Sequence, residues 1–210
     1  MSNRVDLVVP VKVLLRAKSR LLGAADNGAG DRTAHERLAL ALVTDTMTAA
    51  RAAERVRRLL AITSDPNVAE VLTGLGVETV PDVPGGLNAA LAYGADLLRQ
   101  DHPGARIGAL QADLPALRPE ELDAALAAAP ERAFVPDRQG TGTTLLLAGL
   151  GPLDPRFGPG SAAAHAASGA AELLGPWPSL RCDVDTAEDL VAAAALGLGE
   201  HTARLLAPAA

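Results

Sequence analysis

Val5-Asp6-Leu7-Val8-Val9-Pro10-Val11 is an apolar run too short for a helix, and it ends on Lys12. It reads as a buried strand. The loop that follows carries Lys12, Arg16, Lys18 and Arg20, with no acidic residue between Leu7 and Ala25. About a hundred residues later, Ile107-Gly108-Ala109-Leu110-Gln111 is a second apolar run, and it empties into Ala112-Asp113-Leu114-Pro115. Between the two, strand-like and helix-like patterns alternate. His35–Ala53 reads as a long helix with Leu38, Leu42, Val43 and Met47 on one face, and Val56–Thr63 as a strand. Asp65 caps a helix that opens on Pro66 and runs to about Leu72. Val77–Val80 is a short strand, Leu87–Arg99 a helix, and Pro119–Ala129 a helix with two acids in its first turn. This alternation predicts an α/β fold whose central sheet is mostly parallel, with helices on both faces.

After Arg132 the pattern changes. Ala133–Pro136 and Thr143–Leu147 read as strands joined by the turn Asp137-Arg138-Gln139-Gly140. Ser161–Ala170 reads as a helix, Ser179–Val184 as a strand, and Thr186–Leu196 as a last helix whose Thr186 and Asp189 have capping-box spacing. Gly23–Arg32 is expected to be a mobile loop, and the tail from Gly197 is expected to fray. There is no internal repeat and no linker, so residues 1–210 are expected to form one domain.

Hydrophobic residues make up 49% of the chain but aromatic ones only 2%, so Ala, Leu and Val must fill the core. The net charge of −6 argues against a nucleic-acid binder, which needs a broad basic face. The basic cluster near Lys12 therefore stands against an acidic background, as a site for a small anion would. Cys182 is the only cysteine, which excludes an internal disulfide and a cysteine-built zinc site. His35, His102, His165 and His201 lack the spacing of ligand pairs. Pro10 and Lys12 interrupt the first apolar run well short of a membrane span, and its charges follow it rather than precede it. A cytoplasmic protein is expected.

A cationic loop and a carboxylate at the ends of strands are what a nucleoside triphosphate and its magnesium require. Lysine and arginine take the phosphate charge, and the carboxylate takes the metal. Each feature also has a plain structural reading: a solvated basic loop, and a turn aspartate before Leu114-Pro115. In Cys182-Asp183-Val184-Asp185-Thr186, residues two apart on a strand face the same side, so Asp183 and Asp185 can serve one site while Asp185 or Thr186 caps the last helix. Gly140-Thr141-Gly142-Thr143 and Arg156-Phe157-Gly158-Pro159-Gly160-Ser161 offer small residues and hydroxyls to an anion, or merely a hairpin turn and a helix start. Pro84-Gly85-Gly86-Leu87-Asn88 is a turn whose Gly86 and Asn88 can line a base or ribose. The first loop is not the glycine-rich loop of P-loop ATPases, and no dinucleotide fingerprint follows the first strand.

Together these segments resemble the CofC/FbiD family of guanylyltransferases, which act in biosynthesis of the deazaflavin coenzyme F(420). The resemblance covers nearly the whole chain. It rests on Pro10-Val11-Lys12 with Ala17-Lys18-Ser19-Arg20-Leu21, Thr63-Ser64-Asp65, Asp113-Leu114-Pro115, Asp137-Arg138, Gly140-Thr141-Gly142-Thr143, Pro155-Arg156-Phe157-Gly158 and Leu180 through Thr186. The last segments are similar to the actinobacterial, phosphoenolpyruvate-using branch. One departure is Ala112, where the family often has Gly.

The resemblance implies a single-domain, Rossmann-like nucleotide-diphospho-sugar-transferase fold. It also implies transfer of GMP from GTP to phosphoenolpyruvate, with Mg2+ and release of pyrophosphate. The residues it implies are Lys12, Lys18, Arg20 and Asp113 for catalysis, and Lys12, Lys18, Ser64, Gly86 and Asn88 for the nucleotide. Thr143, Gly158 and Ser161 are implied for phosphoenolpyruvate, and Asp113, Asp183 and Asp185 for the metal. The same chemistry on 2-phospho-L-lactate or 3-phosphoglycerate stays open, as does a non-catalytic GTP-binding module. A molybdopterin-type guanylyltransferase would show a glycine-rich first loop, absent here. A homodimer and a hand-off of product to the downstream transferase of the pathway are also left open.

Overall fold

The computed structural model describes residues 4–11, 21–24, 28 and 30–207. Its chain order is β1 (Val5–Pro10), α1 (Arg32–Ala52), β2 (Val56–Ile62), α2 (Pro66–Gly74), β3 (Glu78–Val80), α3 (Leu87–Asp101) and β4 (Arg106–Leu110). There follow α4 (Pro119–Ala128), β5 (Ala133–Pro136), β6 (Thr143–Leu147), α5 (Ser161–Ala167), β7 (Ala171–Glu172), α6 (Ala187–Leu196) and α7 (Glu200–Leu206). The strands form one seven-stranded sheet in the order β3-β2-β1-β4-β6-β5-β7. β1 pairs parallel with both β2 and β4, while β6 runs antiparallel between β4 and β5. The predicted, mostly parallel α/β sheet is what forms.

Apolar clusters lie on both faces. On one, Met47 and Val43 of α1 pack with Leu7, Val9 and Leu147. On the other, Leu91 and Leu98 of α3 pack with Val8, Ile62 and Phe134. α3 approaches the sheet at Gly94, where a Cβ would lie 2.5 Å from a Val8 methyl. Only glycine lets the helix sit that close. Asp6, fully buried in β1, accepts from Arg57 Nε at 2.7 Å on the neighbouring strand, so the charge is paired rather than stranded. Among the described residues no helix is long and apolar enough to cross a membrane.

Caps behave as read. Asp65 accepts from Asn67 and Val68 N–H with Pro66 next to it, and Thr186 and Asp189 form a reciprocal capping box. Two expectations fail. Residues 179–184 are not a strand: the segment turns and then runs on without pairing in the sheet. The tail does not fray but forms α7, because the buried Asp45 of α1 accepts from His201 N–H (3.0 Å) and Thr202 N–H (2.8 Å) and caps it from outside. Of the predicted mobile loop Gly23–Arg32, residues 25–27 and 29 lie outside the described residues. Arg32 already belongs to α1, whose cap Asp31 accepts from Thr33 and Ala34 N–H.

Candidate active site

Reversal of strand order on either side of β1 and β4 makes the gap between their carboxyl ends a topological switch point, where α/β sheets bind ligands. The two segments singled out in the sequence leave the sheet here. Lys12, Lys18 and Arg20, with Arg16, lie outside the described residues. The chain is described up to Val11, whose N–H donates to Ile62 C=O at 2.8 Å.

Asp113 is reached three residues after β4. Its loop is fastened on three sides. Gln111 N–H donates to Thr144 C=O at 2.9 Å, Leu114 N–H to Thr46 Oγ1 at 2.9 Å, and Val184 N–H to Asp113 C=O at 3.0 Å. The last bond brings together two segments 71 residues apart in the chain. Around Val184 the expected alternation holds: Cys182 and Val184 are buried, whereas Asp183 is half-buried and Asp185 exposed. Burial pushes the Cys182 thiol up from its ordinary value, so it packs as an inert apolar group.

The position of this segment is secured by α6. Asp189 accepts from Thr186 N–H and Asp185 N–H, and also from Arg138 and Gln139 of the turn after β5. Burial alone would raise the Asp189 carboxyl, but the bonds from Thr186, Arg138 and the two backbone groups together hold it below its ordinary value. The cap itself is Thr186, not Asp185. The three carboxylates expected as one metal set do not gather: among the described residues no group of three or more His, Cys, Asp or Glu could hold a metal ion. Asp113 and Asp183 stand on the two segments that the Val184 N–H bond joins, so they are the carboxylates that could hold a cation here. That suits magnesium, which keeps waters and takes its remaining oxygens from substrate phosphates.

Beside the Asp113 loop on the same rim lie the start of β6, α5 and the loop before α5. β6 is antiparallel, so its first residue, Thr143, lies on the same rim as Asp113. The turn leading to it is held by Asp137, whose carboxylate accepts from Thr141 N–H (2.9 Å) and Gly142 N–H (2.7 Å). A Cβ on Gly142 would fall 2.4 Å from that carboxylate, so the turn requires glycine. Ala162 N–H donates to Thr141 C=O, and Ser161 N–H to Gly158 C=O, both at 3.1 Å. The start of α5 is thus tied both to Thr141, two residues before Thr143, and to the Gly158 turn that precedes it. Ser161 is buried and Gly158 exposed.

Asn88, expected to contact the nucleotide, is bonded to the chain itself. Its amide accepts from Phe157 N–H at 2.8 Å and donates to Phe157 C=O at 3.0 Å, tying α3 to the loop that carries Gly158. Gly86 takes a positive φ of 83° and precedes α3, exposed at the rim. Ser64 is also exposed, and its Oγ accepts from Asp82 N–H at 3.1 Å.

Sequence reading missed His165. It is fully buried, 2.9 Å from Thr143 Oγ1 through Nδ1, and accepts from Arg156 N–H through Nε2 at 2.9 Å. Burial, with Arg132 and Arg156 nearby, lowers its pKa to about 4. The available signal was its spacing from Ser161: four residues apart on a helix share a face.

No protein-family model matches the chain. The chain is 54% identical over 208 residues to a phosphoenolpyruvate guanylyltransferase of Geodermatophilus obscurus, covering 98% of this chain and 95% of that one. The phosphoenolpyruvate guanylyltransferase of Salinispora arenicola is likewise 54% identical, over 97% and 94% of the two chains. The chain belongs to the phosphoenolpyruvate guanylyltransferase family. Solved structures agree on the fold. A Desulfovibrio desulfuricans protein assigned as a nucleotide-diphospho-sugar transferase superposes with a TM-score of 0.70 at 17% identity, over 98% of this chain and 94% of that one. The 4-diphosphocytidyl-2C-methyl-D-erythritol synthase superposes with a TM-score of 0.62 at 14% identity, over 92% and 98%. Membership of the family makes the chain a nucleotidyltransferase, and the carboxyl rim of its sheet is where such an enzyme works.

Proposed function

We propose that this protein transfers GMP from GTP to phosphoenolpyruvate, giving enolpyruvoyl-diphospho-guanosine and pyrophosphate as a step toward coenzyme F(420). The near full-length, 54% identity to relatives bearing that activity's name carries the reading. A phosphate oxygen of phosphoenolpyruvate attacks the α-phosphorus of GTP. The new P–O bond forms as the bond from the α-phosphorus to the β-bridging oxygen breaks, and pyrophosphate leaves with that electron pair. The attacking phosphate has a second pKa near 6 by analogy with other phosphate monoesters, so it is mostly dianionic at neutral pH and needs no general base. This accords with His165 being buried and bonded at both nitrogens rather than open to a substrate.

The obstacle is bringing two polyanions together. Lys12, Lys18 and Arg20 neutralise the triphosphate, and Thr143, Gly158 and Ser161 orient the acceptor. Asp113 and Asp183 are the residues that would hold Mg2+, which when bound supplies charge neutralisation at the phosphates. Gly86 and Ser64 line the nucleotide side of the rim, and Asn88 acts behind it. The reaction is assigned to the cytoplasm, within one domain spanning residues 1–210.

The test is an acceptor panel. Purified protein with GTP and Mg2+ is given phosphoenolpyruvate, 2-phospho-L-lactate or 3-phosphoglycerate, and pyrophosphate and product mass are measured. The reading expects the largest kcat/KM with phosphoenolpyruvate. Higher kcat/KM with another acid reassigns the acceptor, and GTP binding without pyrophosphate from any of them reduces the protein to a binding module.

A further inference from the structure

The hydrogen bonds around His165 fix which of its nitrogens carries the proton. A backbone N–H can only donate, so the bond from Arg156 N–H at 2.9 Å requires a bare Nε2. The proton of the neutral ring is then on Nδ1, which faces Thr143 Oγ1 at 2.9 Å. The threonine oxygen accepts there. Its own hydrogen cannot point at His165, and among the described residues no other acceptor is paired with it. Thr143 is thereby turned from a rotor that can donate or accept into a group whose hydrogen is directed elsewhere, at the rim that also carries Asp113.

The ring is in turn held rigidly. His165 is fully buried, with Phe157 edge-on at 5.0 Å between ring centroids and Phe134 tilted at 6.0 Å. The charged groups facing it are Arg132, Arg156 and Asp154. Arg132 bonds Leu153 C=O and Ser168 Oγ, while Arg156 pairs with Asp154 at 3.1 Å. Burial first, and then two arginines against one carboxylate, disfavour a second proton on the ring, so the acceptor role of Nε2 persists at neutral pH. The same nitrogen anchors the backbone of Arg156, two residues before Gly158. The loop is therefore clamped twice, by His165 from α5 and by Asn88 from α3.

We propose that His165 is a positioning residue for the acceptor: held in its Nδ1–H form by Arg156 N–H, it makes Thr143 a preset hydrogen-bond donor to an anionic oxygen of the phospho-acid. The role in substrate binding rests on the guanylyltransferase reading, whereas the tautomer does not. An apolar residue at 165 would leave the Thr143 hydroxyl free to rotate and would release Arg156. The donor on the acceptor's side of the site is then no longer preset, and the nucleotide side is untouched.

Two measurements test this. Nitrogen-15 NMR of the full-length enzyme labelled at histidine should show His165 with a protonated Nδ1 and an unprotonated Nε2 at neutral pH. The reverse tautomer, or a doubly protonated ring, overturns the proposal without bearing on the reaction. In steady-state kinetics, His165→Phe, which keeps the ring's bulk, should raise KM for phosphoenolpyruvate by up to roughly tenfold, the ceiling being the order of one whole hydrogen bond to a charged group. KM for GTP should stay within about twofold. His165→Asn, which can still donate toward Thr143, should recover part of the loss. Equal changes in both KM values, or none, overturn the positioning role. Lack of pyrophosphate from the unmutated enzyme with every phospho-acid instead overturns the functional reading, and the acceptor role with it.

Discussion

Asp113 is fixed by its neighbours' backbone before its carboxylate does any chemistry. Contacts to Thr144, Thr46 and Val184 set the loop, so a change confined to the side chain alters charge and little else. Asp113→Asn should therefore unfold at nearly the same temperature as the unmutated protein while turnover falls by about two orders of magnitude or more, the scale for losing a charge-stabilising group. Near-normal turnover would remove Asp113 from the mechanism. His165 makes a prediction about stability. Its folded pKa of about 4 lies below its ordinary 6.5, so as pH falls through that window the unfolded chain takes up a proton that the folded chain refuses. Stability contributed by the neutral ring is complete above about pH 6.5 and is lost progressively down to about pH 4. Each pH unit in that interval weakens the fold by about 1.4 kcal/mol at most. Urea unfolding between about pH 7 and about pH 4.5 should show this decline, and His165→Phe should flatten it. Asp113 was legible because a carboxylate ending an apolar strand is a local pattern. His165 was not, because its meaning lies in a threonine on another element and in a backbone N–H that no side chain announces.

Among elements, the caps and the long amphipathic helices follow from neighbours within a few residues. Strands β5 and β6 match their predicted bounds for the same reason. Failures occur where the deciding partner is remote. Alternation of Cys182, Asp183, Val184 and Asp185 correctly gives inward and outward sides, yet it reports burial and not pairing. The Val184 N–H goes to the Asp113 loop instead of a neighbouring strand. At two residues, β7 is too short for any periodicity to mark. α7 looks weak in isolation because its cap is supplied by Asp45, more than 150 residues earlier. Asp45→Ala leaves two N–H groups without that acceptor and should cost about 1–3 kcal/mol. Hydrogen exchange checks the mechanism: amides of α7 should lose protection ahead of the sheet. Uniform loss across the protein would mean that Asp45 does not act by docking this helix.

For the molecule as a whole, the order β3-β2-β1-β4-β6-β5-β7 puts the exits of β1 and β4 side by side, and antiparallel β6 returns Thr143 to the same rim. Sequence alternation was enough to foresee a mainly parallel sheet. It could not foresee that the Asp113 and Val184 segments would touch, since that depends on how α6 docks through Asp189 and Arg138. The outcome is one rim that carries the joined Asp113 and Val184 segments together with Thr143 at the start of β6. Following GTP labelled at either the α- or the γ-phosphorus in the presence of phosphoenolpyruvate and Mg2+ tests the proposed transfer most directly. The account predicts that the α-label enters a product containing the acceptor while the γ-label appears in pyrophosphate in equal amount. Transfer of the γ-label to the acceptor, or no movement of the α-label, would contradict it.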